Sequence, residues 1–102
     1  MEHTVDDKNG AKIISFDGEI DLESSAAARE VLLECVNSGA VVKVNLSGVS
    51  YIDSSGVASL VEALQLAKSN GTEFTLVSVS EAALRVLKLA RLDKVFTIQD
   101  SV

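Results

Sequence analysis

The sequence predicts an α/β domain: a mixed β-sheet with helices packed on it. Three observations carry this expectation. Apolar strand-like runs and helical stretches of 3.6-residue period alternate in the order β-β-α-β-α-β-α-β. Asn9-Gly10 is a tight-hairpin signal between the first two strands. Each later strand is separated from the next by a helix, as right-handed crossovers between parallel strands require.

The first strand is expected over His3 to Asp6 and the second over Ala11 to Asp17, where Ile13, Ile14 and Phe16 are apolar. Gly18-Glu19-Ile20-Asp21-Leu22 reads as a loop feeding a helix from about Ser24 to Asn37. Ala28, Val31, Leu32, Cys35 and Val36 form its apolar stripe, and Gly39 suits the left-handed position after its end. Val41 to Leu46 is the clearest strand. Val42, Val44 and Leu46 alternate with Lys43 and Asn45, which predicts a central strand with one face under the helices. Ser47 to Ile52 reads as a loop, followed by a helix from about Ser55 to Ser69 closed by Gly71. Phe74, Leu76 and Val77 mark the fourth strand. Ser80 caps a third helix, Glu81 to Leu89, with Ala83, Leu84 and Leu87 inward, and Val95 to Ile98 is the last strand.

A chain of 102 residues argues for one domain, here 1–102, large enough to bury a core. Hydrophobic content of 47% excludes disorder, and with 4% aromatics the core must be aliphatic. The net charge of −6 repels nucleic acid and anionic lipid, and Lys and Arg form no cluster with interleaved aromatics. No apolar run reaches the length of a membrane span and no signal peptide opens the chain, so a soluble, cytoplasmic protein is expected. Cys35 is the only cysteine and reads as a buried thiol; with a single distant His3 it makes no metal site.

The informative stretch is Tyr51-Ile52-Asp53-Ser54-Ser55-Gly56. It sets an acid, two hydroxyls and a glycine where a helix begins, with Val57, Leu60, Val61 and Leu64 fixing that helix's inward face. Asp53, Ser54 and Ser55 are all good N-cap residues. The same position gathers free N–H groups and the positive dipole end, which favours a phosphate. Ser54, directly after Asp53, is placed to point outward; Ser55, one step further in, is expected to bond to the first-turn backbone. Phosphate-binding Gly-x-x-x-x-Gly-Lys, dinucleotide Gly-x-Gly-x-x-Gly and Gly-x-Ser-x-Gly motifs are absent, and one histidine near the N-terminus makes no triad. No catalytic residue and no cofactor site is expected.

Gly18-Glu19-Ile20-Asp21, Tyr51 to Gly56 and Leu89-Ala90-Arg91-Leu92-Asp93-Lys94-Val95-Phe96 occur in the order and spacing of STAS domains. The chain resembles the bacterial anti-sigma factor antagonists among them. It departs from their pattern at Ala58 and near Arg91, where glycine is common in those proteins. The resemblance implies a phosphoacceptor at Ser54 and a partner-binding surface of Glu19, Asp21, Asp53, Ser54, Ser55 and Gly56. It implies as partners an anti-sigma factor that is also a serine kinase, and a metal-dependent serine phosphatase. Single-domain STAS proteins also include accessory subunits of phospholipid-moving ABC transporters, which would dock the same face on an ATPase subunit.

Overall fold

The computed structural model describes residues 1–100. Strands β1 (Glu2–Lys8), β2 (Ala11–Ile20), β3 (Val41–Ile52), β4 (Phe74–Val77) and β5 (Thr97–Gln99) form one sheet in the order β1-β2-β3-β4-β5. Helices α1 (Ser25–Asn37), α2 (Ser54–Asn70) and α3 (Glu81–Leu89) connect its parallel strands. β1 and β2 are antiparallel and the remaining pairs parallel, so the sheet is mixed and the element order is the expected one. The hairpin turn follows from its sequence: Asn9 and Gly10 take φ 54° and 81°, as a two-residue primed turn demands.

β3 lies at the centre. Val42, Val44 and Leu46 are fully buried, whereas Lys43 and Asn45 project from the other face and are half-buried. Ile14, Val44, Leu76 and Ile98 stand side by side across the parallel strands. Ala28, Leu32 and Val36 of α1 and Leu60, Ala63 and Leu64 of α2 join this row in one core. Across the two helices Arg29 grips both carboxylate oxygens of Glu62, with Nη2 2.9 Å from Oε1. Both side chains are solvated, so the pair fixes orientation more than stability.

The two inner strands run further than expected. Gly18 to Ile20 and Val49 to Ile52, loop by their sequence pattern, pair as Gly18↔Val49, Glu19↔Tyr51 and Ile20↔Ile52. The pairing passes through two register shifts, between Ser15 and Asp17 and between Gly18 and Glu19. Both extra residues fall in β3, between Asn45 and Gly48 and at Ser50, and break its period of two, whereas β2 keeps its alternation through Asp17-Gly18-Glu19, residues that favour turns. The first strand likewise extends to Glu2–Lys8, because hairpin pairing holds residues too polar to signal a strand. β5 begins at Thr97 rather than Val95, since the Val95 and Phe96 N–H groups still bond to the Leu92 carbonyl at 3.0 and 3.3 Å. Leu84, expected inward, is half-buried.

The end of α3 carries an unusual residue. The Leu92 N–H reaches the Leu87 carbonyl (2.8 Å) and the Arg91 N–H reaches Lys88 (3.0 Å), the paired bonds of a Schellman cap. The left-handed position in that cap is Arg91, at φ 61°. Glycine holds this conformation without the steric cost of a side chain. Arg91→Gly should therefore stabilise the fold by about 1 kcal/mol, read as a raised urea midpoint; a lowered midpoint contradicts this account of the cap.

Candidate functional site

α2 starts where β3 ends, and Asp53 is the hinge between them. Its extended backbone (φ −105°, ψ −174°) turns its carboxylate back over the first helical turn. Oδ1 accepts from the Ser55 N–H (3.0 Å), the Gly56 N–H (3.1 Å) and the Ser55 hydroxyl (2.5 Å). These donors, the Ser55 hydroxyl foremost, hold the Asp53 carboxyl below the usual carboxylate range against some desolvation, with a smaller contribution from the Leu22 N–H. A depressed acid stabilises the fold fully above its unfolded value, and that contribution disappears as pH falls through the folded value. Asp53→Asn keeps a capping oxygen but cannot ionise, so it should flatten the acid arm of the stability curve. An unchanged acid arm in urea titrations would contradict this role.

Ser54 is the first residue of α2 and is exposed. Among the described residues its hydroxyl has no protein partner. Ser55 is engaged, but not as expected: its hydroxyl donates to the Asp53 carboxylate rather than to first-turn backbone. The carboxylate is nearer and charged, which makes it the stronger acceptor. One turn on, the buried Ser59 hydroxyl donates to the Ser55 carbonyl (3.1 Å) and to the Ser25 carbonyl of α1 (3.3 Å). The N-terminal turn of α2 is thereby tied to its neighbour while the Ser54 hydroxyl stays free.

β2 brings the second acidic stretch alongside. The Asp53 N–H donates to the Ile20 carbonyl (3.2 Å), which sets the Glu19-to-Leu22 segment beside the start of α2. Gly56 allows this approach. A Cβ there would lie 2.7 Å from Ile52 Cγ1, 2.8 Å from Ile20 Cγ2 and 2.9 Å from the Ile20 carbonyl oxygen. Glu19 is exposed and pairs in register with Tyr51. Asp21 Oδ1 accepts from the N–H groups of Glu23 and Ser24 and from the Ser24 hydroxyl, each at 3.1 Å. The Asp21 N–H in turn donates to Ser24 Oγ at 2.9 Å, giving a reciprocal cap over the turn before α1. Asp21→Ala should cost about 1 kcal/mol through loss of this cap; an unchanged melting transition would contradict it.

Sequence reasoning missed three participants. Ser24 fastens Asp21, and the Asp-x-x-Ser spacing was the available signal. Leu22 and Tyr51 are 78% and 50% exposed, which sets apolar surface beside the acids and the free hydroxyl. Among the described residues no group of three or more His, Cys, Asp or Glu converges as metal ligands, and no helix is long and apolar enough to cross a membrane.

The STAS domain model matches residues 3–102. The anti-sigma-F factor antagonist RsfB of Mycobacterium tuberculosis is 34% identical over 97 residues, covering 93% of this chain and 78% of that protein. The anti-sigma-B factor antagonist of Bacillus subtilis is 31% identical over 85 residues, 83% of this chain and 78% of its own. A crystal structure of an anti-sigma factor antagonist from Mycobacterium paratuberculosis superposes with a TM-score of 0.90 at 25% identity, over 99% of this chain and 86% of that one. This chain belongs to the STAS domain family.

Proposed function

We propose that this chain is an anti-sigma factor antagonist whose binding to an anti-sigma factor is switched at Ser54. The observation that carries the reading is the exposed Ser54 hydroxyl, left free between an Asp53 and a Ser55 that bond to each other. The names of its relatives support the same role. They do not favour the alternative of an accessory subunit that docks on an ABC-transporter ATPase.

In this reading the chain is a substrate and a binding module, not an enzyme. A partner that is both anti-sigma factor and serine kinase binds Glu19, Asp21, Asp53, Ser54, Ser55 and Gly56 and supplies ATP, Mg²⁺ and the catalytic base. Phosphate on Ser54 adds a charge of about −1.5 to −2. The Ser55 and Gly56 N–H groups are already taken by Asp53, so the new charge gains little from them. It stands instead beside a carboxylate, on a surface a partner has shaped for a neutral hydroxyl. A metal-dependent serine phosphatase resets the protein. The test is displacement: the unmodified chain, mixed with a purified sigma–anti-sigma complex, should release the sigma factor on gel filtration. A complex that survives an excess of the chain contradicts the proposal.

A further inference from the structure

The charge of this acidic chain is unevenly placed. Residues 81–96 hold Arg85, Lys88, Arg91 and Lys94 against Glu81 and Asp93, +2 locally within a total of −6, which leaves −8 for the rest. All four cations are exposed, and among the described residues none is in an ion pair. Arg85, Lys88 and Leu89 share the side of α3 opposite Ala83 and Leu87, which are fully buried. A polar residue is expected on that outer side, yet Leu89 is 80% exposed. A groove of about 230 Å³ on the same helix is lined by Glu81, Leu84, Arg85 and Lys88. Arg91 stands in a left-handed cap position that glycine fills at lower cost, and so adds a guanidinium to this patch.

α2 and α3 both follow parallel strands, so both begin at one edge of the sheet and α3 ends at the other. The cap that follows α3 therefore lies toward the opposite end of the strands from Ser54. We propose that the outer face of α3 and the cap after it dock an acidic protein segment that lays an apolar side chain against Leu89. Charge complementarity selects the occupant. A protein segment can bring carboxylates to Arg85, Lys88 and Arg91 alone. A flat anionic membrane would also face the surrounding surface, and the remaining −8 is carried on a body of only 30 × 26 × 23 Å.

The test is fluorescence anisotropy with a short labelled synthetic peptide of glutamates with spaced leucines, against the full chain. Binding should weaken steeply with added salt. It should fall at least about tenfold in Arg85→Glu or Lys88→Glu, and also in Leu89→Ser. Arg91→Gly separates stability from binding: the fold gains stability while the peptide binds more weakly. Ser54→Asp should leave peptide binding unchanged, which separates this surface from the proposed switch. No peptide binding, binding indifferent to the charge reversals, or capture by phosphatidylserine vesicles without capture of the peptide would each overturn the proposal.

Discussion

Gly56→Ala should destabilise the fold by about 2 kcal/mol, although alanine is the better helix former by about 1 kcal/mol. The added Cβ meets the Ile20 carbonyl oxygen and the side chains of Ile20 and Ile52, all under 3.0 Å. Those side chains are almost fully buried and cannot swing away, and the carbonyl is held by the Asp53 N–H. Relief requires α2 to move off β2, which stretches that hydrogen bond and opens the packing beneath Val57 and Leu60. Overpacking of this kind costs ~1–3 kcal/mol, and a branched Val at position 56 should cost more than Ala. The measurement is urea unfolding at neutral pH, with the Ala58→Gly variant as control. Ala58 is exposed on the same helix, so that change should show only the helix-propensity loss of about 1 kcal/mol. A Gly56→Ala protein as stable as the parent would mean that α2 does not sit this close to β2.

The second large effect falls on binding, not stability. Ser54→Asp should weaken anti-sigma factor binding by about 100-fold, while Ser54→Ala binds nearly as the parent does. The arithmetic follows from the site. A charge left unpaired in an interface costs ~2–5 kcal/mol, and each 1.4 kcal/mol is about tenfold. Neighbouring Asp53, its carboxyl held below the usual range by the Ser55 hydroxyl, is charged at neutral pH, so repulsion within the site adds to the penalty. Both variants should melt close to the parent, because the Ser54 side chain is exposed and bonded to nothing among the described residues. Isothermal titration with the purified anti-sigma factor decides it. Equal affinities for Ser54→Asp and Ser54→Ala would remove charge from the account of the switch.

The central strand and the helices were readable from periodicity because each buries one face only. Val42, Val44 and Leu46 alternate with polar neighbours, and Ala28, Leu32, Cys35 and Val36 repeat at helical spacing. The end of β3 was not readable, since bulges interrupt its alternation where it approaches the site, and the end of β2 was not, since Asp17, Gly18 and Glu19 are residues typical of turns. The acid–hydroxyl–glycine motif located the start of α2, and the order of its residues already set Ser54 outward and Ser55 inward. What it did not record is the acceptor of the Ser55 hydroxyl, the Asp53 carboxylate, which is a matter of three-dimensional geometry. The clustering of Leu22 and Tyr51 at the site also depends on pairing between strands distant in sequence, Ile20 with Ile52, which no local pattern records.

Phosphopeptide mapping puts the central claim to its most direct test. The chain is incubated with a purified anti-sigma kinase, Mg²⁺ and ATP, its intact mass is taken, and the peptide spanning Tyr51 to Lys68 is fragmented. Free Ser54 and engaged Ser55 predict a single phosphate on Ser54, abolished by Ser54→Ala and retained by Ser55→Ala. Phosphate on Ser55, or labelling of Ser54→Ala equal to that of the parent, would contradict it.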